Sequence, residues 1–197
     1  MDELVADLPG TTIYFIRHAE SPYTPGNERE RGLSDKGRED AQRVSAVLAE
    51  EQIELFVSSP YERAIRTIAP LAAAQGKDIA IEEDLRERKM AGADFIIGDR
   101  FIQSKQLLYE DFNYSFLGGE SSREAQHRAI DVILRLLDEH KGKKIAIGTH
   151  GDIMTLMMNY FDPAYNFEFW KQLTMPDIYR LLFKGTKLVE VDRMRFS

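Results

Sequence analysis

Short apolar runs alternate with segments of helical periodicity along most of the chain. The runs at 13–16, 53–57 and 144–148 are rich in β-favouring residues and bounded by polar ones, as is typical of buried strands. Apolar positions recur at helical spacing over 35–51, 60–76, 121–140 and the segment after residue 150. Further strands are predicted at 78–82 and, as a pair, at 178–183 and 187–191. This alternation predicts an α/β fold.

Capping signals mark several of the predicted helices. Ser34 is the predicted N-cap of the first helix, and 121–124 form a capping box at the start of a later one. Ser59 followed by Pro60 predicts a helix that has Ser59 as its N-cap. Gly37, inside the first helix, indicates either close backbone packing or proximity to a site, and the pattern does not choose between them.

The composition excludes several classes of protein. A length of 197 residues suits one domain, and 0 cysteines rule out disulfides, thiolate catalysis and zinc–thiolate sites. A net charge of −7 argues against nucleic-acid binding as the main role. No apolar run approaches the roughly 18 residues of a membrane helix. The first ten residues lack the pattern of a signal peptide, so a cytoplasmic protein is expected.

Arginine or histidine follows three of the predicted strands. Arg17 and His18 end the first, Arg63 lies near the start of the helix after the second, and His150 follows the strand at 144–148. Ligands bind at the carboxyl ends of strands in open α/β sheets. A guanidinium offers a planar fork for phosphate, and an imidazole can act as nucleophile or acid–base near neutral pH. Each alone could be a chance surface residue, but three such strand ends predict an anion site.

Six short motifs carry these residues. They are Arg17-His18-Ala19-Glu20, Leu33-Ser34-x-x-Gly37, Ser58-Ser59-Pro60-x-x-Arg63-Ala64-x-x-Thr67, Leu85-x-Glu87, Gly119-Glu120-Ser121 and Thr149-His150-Gly151. In order and spacing the chain resembles the histidine phosphatase superfamily, also called phosphoglycerate mutase-like, although Ala19 stands where glycine is commonest. The resemblance implies a three-layer αβα sandwich with a largely parallel central sheet. It also implies a single domain over 1–197, with 93–118 as a cap over the pocket.

The resemblance gives each matched residue a role. His18 would attack the phosphorus and become a phosphohistidine. Arg17, Arg63 and His150 would hold the phosphoryl oxygens and stabilise the transition state. Glu87 would protonate the leaving oxygen and then activate water.

The resemblance also bears on binding partners. Thr24, in the loop after His18, and Gly151 match positions that are expected to contact substrate. No cofactor and no metal are implied, since no cluster of carboxylates suits magnesium. The expected partner is a small phosphorylated substrate, with no nucleic acid or membrane, and the chain is expected to be a monomer or a homodimer.

Phosphatases and phosphoglycerate mutases of this family share the same machinery. Mutases resemble one another in a long insertion, between the acid and the second histidine, that carries basic residues for the substrate carboxylate. Here that interval is short, 103–119 holds one lysine, Lys105, and no arginine, and Met90 replaces a tyrosine usual in mutases. A metal-independent phosphomonoesterase is therefore predicted. A mutase and a catalytically inactive phosphate-binding protein are the alternatives, and the aromatic segment 95–116 favours a modestly charged or partly apolar substrate.

Overall fold

The computed structural model describes residues 9–23, 26–92 and 98–196. Its strands are β1 (Gly10–Arg17), β2 (Leu55–Ser58), β3 (Ile79–Ile81), β4 (Lys144–Thr149), β5 (Asp177–Lys184) and β6 (Lys187–Met194). Its α-helices are α1 (Asp35–Val47), α2 (Glu62–Ala74), α3 (Phe101–Glu110), α4 (Ser122–Glu139), α5 (Gly151–Phe161) and α6 (Phe167–Gln172). Every predicted strand is present. The helices α1, α2, α4 and α5 lie in the four segments with predicted helical periodicity.

The strands form one six-stranded sheet in the order β3-β2-β4-β1-β5-β6. The four strands from β3 to β1 are parallel to one another. β5 runs antiparallel to β1, and β6 runs antiparallel to β5. The predicted α/β fold and its largely parallel sheet are confirmed, as is the antiparallel pair at the end of the chain.

Helices cover both faces of the sheet. Alternate side chains of β1 point to opposite faces, as the pleat of a strand requires. Tyr14 and Ile16 pack in a core with residues of α1 and α2. Ile13 and Phe15 pack in a second core with residues of α4 and α5. These two cores separate three layers, which confirms the predicted αβα sandwich.

Helix α1 begins where the capping signals place it. The Ser34 hydroxyl accepts a hydrogen bond from the Gly37 N–H at 2.9 Å. A Cβ added to Gly37 would lie 2.1 Å from the carbonyl oxygen of Glu20. The glycine is therefore required by close packing of α1 against the loop that follows β1. Of the two explanations that the sequence left open for Gly37, close backbone packing is the one that the structure supports.

The predicted N-cap of α2 was wrong. The helix begins at Glu62, with Tyr61 as its N-cap, rather than at Pro60. The reason is a competing contact, because the Ser59 hydroxyl lies 2.7 Å from Nε2 of His150. A serine that is hydrogen-bonded to a buried imidazole is held away from the first turn of its own helix.

The predicted cap, 93–118, is described in part, since 93–97 lie outside the described residues. The remainder contains a 3₁₀ turn at Gly98–Arg100 and α3. Phe101 of α3 packs on Trp170 of α6, with ring centroids 6.2 Å apart. That this segment covers the pocket stays a prediction. Within the described ranges, no helix combines the length and the apolar character needed to cross a membrane.

Candidate active site

The carboxyl ends of β1, β2 and β4 meet at one edge of the sheet. Their parallel register pairs Arg17 with Thr149, and Ser58 with Gly148. One residue further along, the His18 N–H donates to the Thr149 carbonyl at 2.9 Å. The residues that follow these strands are therefore brought side by side, as the sequence predicts.

His18 is buried beside the end of β1, with 6% of its surface exposed. Its Nδ1 lies 2.8 Å from the carbonyl oxygen of Ala19. Because a carbonyl can only accept, Nδ1 carries the proton and Nε2 keeps its lone pair. Burial, followed by the positive charges of Arg63 and Arg17, lowers the pKa of His18 to about 3. The imidazole is thus neutral at physiological pH, which is the form that a nucleophile requires.

His150 is buried next to His18, with ring centroids 5.2 Å apart. Its Nε2 faces the Ser59 hydroxyl, which also accepts a 3.3 Å hydrogen bond from the Tyr61 N–H. Where the hydroxyl donates its proton to Nε2, the ring proton lies on Nδ1. That Nδ1 has no hydrogen-bond partner within the described part of the chain. Burial, then the nearby His18 and Arg63, lower the pKa of His150 well below its ordinary value.

Two guanidinium groups complete the basic cluster. Arg17 donates from Nη1 to the carbonyl oxygens of Leu173 and Thr174, at 3.1 and 3.0 Å. Arg63 has only 2% of its side chain exposed and lies 4.8 Å above the ring of Tyr61. The Nε atoms of Arg17 and Arg63 are buried and have no hydrogen-bond partner in the described ranges.

The side chain of Glu87 packs against the N-terminus of α5, the helix that follows His150. Its Oε1 accepts from the N–H groups of Arg88 at 2.8 Å and Ile153 at 2.9 Å. Its Oε2 accepts from the Asp152 N–H at 3.2 Å. These backbone contacts hold the carboxyl group in one orientation beside the basic cluster. The structure therefore brings Glu87 together with the four basic residues predicted from sequence.

The two predicted substrate-contact positions have different outcomes. Thr24 lies outside the described residues. Gly151 is the first residue of α5, and an added Cβ would lie 3.0 Å from Cζ of Arg17. The glycine allows that guanidinium to pack directly on the backbone. A contact between Gly151 and substrate stays a prediction.

A buried ionic cluster supports the site from the side of α5. Asp152 accepts from Nε of Arg88 at 2.8 Å, from Nζ of Lys105 and from the Tyr109 hydroxyl at 2.7 Å. Burial alone would raise the pKa of Asp152, but the charges of Arg88 and Lys105 lower it well below its ordinary value. Arg88 lies in a stretch rich in charged residues, 84–92, yet it is only 4% exposed. From sequence, Asp152 looks like an ordinary first-turn acid of a helix.

We expect acid to destabilise the protein through its buried histidines. In the unfolded chain a histidine binds a proton near pH 6.5, whereas folded His18 does so only near pH 3. Between those values the unfolded state holds the extra proton, so the free energy of unfolding falls as the pH falls. From pH 7 to pH 5 this loss is about 2 kcal/mol for His18.

Urea unfolding of the parent and of His18→Asn at pH 7 and pH 5 measures this contribution. The loss of stability between the two pH values is expected to be smaller in the variant by about 2 kcal/mol. Equal losses in the two proteins would mean that His18 is protonated in the folded state at pH 5.

Comparison with known proteins identifies a family and several related sequences. A model of the histidine phosphatase superfamily (branch 1) matches residues 13–191. Phosphoglycerate mutase-like protein 4 of Arabidopsis thaliana is 29% identical over 170 residues, which are 80% of this chain and 74% of that protein. The glucosyl-3-phosphoglycerate phosphatase of Mycolicibacterium vanbaalenii is 25% identical over 160 residues, 74% of this chain and 71% of that protein.

A solved structure shows the shared fold. A mycobacterial glucosyl-3-phosphoglycerate phosphatase in complex with VO3 superposes with a TM-score of 0.76 at 20% identity. The superposition covers 94% of this chain and 99% of that chain. The family match spans every motif from which the resemblance was drawn.

Proposed function

The chain belongs to the histidine phosphatase superfamily (branch 1), and from this premise we propose that it is a metal-independent phosphomonoesterase acting through a phosphohistidine at His18. The observation that supports this best is a set of buried nitrogens, Nε of Arg17, Nε of Arg63 and Nδ1 of His150, that lack partners in the described ranges. Buried donors are nearly always hydrogen-bonded. A phosphoryl group beside His18 supplies several acceptor oxygens to such donors at once.

The proposed first step transfers the phosphoryl group to the protein. Nε2 of His18 forms a bond to phosphorus while the ester P–O bond breaks. The leaving oxygen takes a proton from Glu87. The donors of Arg17, Arg63 and His150 stabilise the charge that develops on the phosphoryl oxygens.

The second step releases inorganic phosphate. Glu87, now a carboxylate, accepts a proton from water as the water oxygen bonds to phosphorus. The N–P bond breaks, and the electron pair returns to Nε2 of His18. The neutral imidazole and the protonated acid are thus regenerated together.

Lys105 favours hydrolysis over mutase activity. It is the single cation in 103–119, the interval that would have to bind a substrate carboxylate in a mutase. Its side chain is 4% exposed, and its ammonium is paired with Asp152. A charge committed to a buried ion pair cannot also bind substrate. We therefore propose a small phosphomonoester of modest charge as the substrate.

Hydrolysis of an aryl phosphate in the presence of a chelator tests this function. We expect turnover that is unchanged by the chelator, with all phosphoryl groups released to water. Loss of activity on chelation would contradict the metal-independent mechanism. Interconversion of phosphoglycerates in a parallel assay would support the mutase instead. Phosphate binding without turnover of any ester would support a binding protein.

A further inference from the structure

A third arginine, Arg31, lies beside the basic cluster, in the loop between β1 and α1. Its side chain is 14% exposed. After burial, the charge of Arg31 is the largest influence that lowers the pKa of Arg63. Arg31 also contributes, after burial, Arg63 and Arg17, to the lowered pKa of His18. Its guanidinium therefore lies near enough to Arg63 and His18 for its charge to act on both.

Glu28 joins the two guanidinium groups of Arg31 and Arg63. Its Oε2 is 3.3 Å from Nη2 of Arg31 and 3.3 Å from Nη2 of Arg63. It is also 3.3 Å from Nε of Arg31, so one carboxylate oxygen faces the forked edge of that arginine. Such a fork binds the oxyanions of carboxylates and phosphates alike. The Glu28 side chain is 45% exposed, so this internal anion lies at the mouth of the site and can turn out into water.

Both arginines have other contacts that keep them in place. Nη1 of Arg63 donates to the backbone carbonyl of Glu28 at 2.6 Å, a contact that does not involve the carboxylate. Nη1 of Arg31 donates to the Ser21 carbonyl at 3.0 Å and to the Ser21 hydroxyl at 2.7 Å. Departure of the Glu28 carboxylate would thus leave two oriented guanidinium groups with their facing donors free.

We propose that Arg31 is a further ligand of the substrate's phosphoryl group, and that Glu28 is a built-in counter-anion which the phosphoryl group displaces from between Arg31 and Arg63. This assignment rests on the proposed function, because it places the phosphoryl group at the same site. It makes the loop at 26–32 a determinant of substrate affinity. Binding exchanges one anion for another, so the charges of Arg31 and Arg63 are compensated both before and after the phosphoryl group binds.

Neutralising Glu28 is expected to strengthen the binding of inorganic phosphate. In Glu28→Gln the competing charge is gone, while the backbone and Ser21 contacts still orient both arginines. We expect the Kd for inorganic phosphate, measured by titration calorimetry, to fall about fivefold, the effect of one half-exposed ion pair. Weaker binding in this variant would show that Glu28 positions the arginines and would overturn its role as a competitor.

Arg31→Gln gives the complementary measurement. We expect its Kd for inorganic phosphate to rise about tenfold, since one charged hydrogen-bond donor is lost. Glu62→Gln is the matched control for Glu28→Gln, because Glu62 pairs with Arg66 on the exposed side of α2 and its neutralisation changes the net charge by the same amount. Its Kd is expected to stay within about twofold of the parent. An unchanged Kd in Arg31→Gln would overturn the assignment of Arg31.

These titrations separate the inference from the proposed function. Shifts of Kd as described, in a protein that hydrolyses no ester, would support the anion exchange and contradict the phosphatase. Normal hydrolysis with no shift of Kd in either variant would support the phosphatase and contradict the anion exchange. A parent protein that binds no phosphate and hydrolyses no ester would overturn both.

Discussion

Replacing His18 with asparagine is expected to lower kcat for an aryl phosphate by at least about 10⁴-fold, the order of loss seen when a catalytic nucleophile is removed. The carboxamide has no basic nitrogen that could bond to phosphorus, so the two-step route is lost. Arg17, Arg63 and His150 remain to bind the phosphoryl group, so KM is expected to change far less than kcat. Steady-state kinetics with both parameters resolved, on protein shown to be folded by circular dichroism, is the measurement.

His127→Asn is the matched control for this substitution. His127 is exposed on α4 and pairs with Asp131, away from the site. The same change of side chain there is expected to leave kcat and KM as in the parent. If His18→Asn kept its kcat within about tenfold of this control, the nucleophile would have to be another group.

Replacing Asp152 with asparagine is expected to lower the free energy of unfolding by about 3–5 kcal/mol. The carboxylate neutralises two buried cations, Arg88 and Lys105, whose side chains are 0% and 4% exposed. Burial lowers the pKa of Lys105, so this ammonium can lose its proton when its partner is removed. Arg88 cannot, because a guanidinium stays charged in proteins. Urea denaturation at neutral pH measures the loss.

An exposed ion pair provides the control for Asp152→Asn. Asp192 pairs with Arg180 on the strands β5 and β6, and both side chains are at least about a third exposed. Asp192→Asn is expected to cost only about 0–1 kcal/mol. Equal losses for the two substitutions would contradict the account of a buried cluster. Partial recovery in Asp152→Asn with Lys105→Met would support it, since one stranded cation is then removed.

The central site could be predicted from sequence because it depends on strand ends. Arg17, His18 and His150 directly follow apolar runs, and parallel strands bring their carboxyl ends to one edge of the sheet. Arg63 lies within a turn of such an end. The pattern of apolar runs was therefore enough to predict that these basic side chains lie together. Glu87 required the resemblance to a family, because nothing local distinguishes it from the other charged residues of 84–92.

The residues that sequence analysis missed owe their roles to distant partners. The sequence around Ser59 is typical of a helix N-cap. In the structure the Ser59 hydroxyl instead forms a hydrogen bond with His150, which is far away in sequence. Arg88 and Lys105 look solvated until Asp152 is placed between them. Whether a charged side chain is buried depends on which opposite charge the fold brings to it. Neither periodicity nor capping rules carry that information.

The most direct test of the phosphohistidine mechanism is to trap it. The protein is mixed with radiolabelled phosphomonoester in the presence of chelator, quenched within a turnover, and digested for mass spectrometry. The account predicts a covalent phosphoryl group on His18, stable in base, labile in acid and absent from His18→Asn. Turnover with no phosphoryl group on His18, or with the group on another residue, would contradict it.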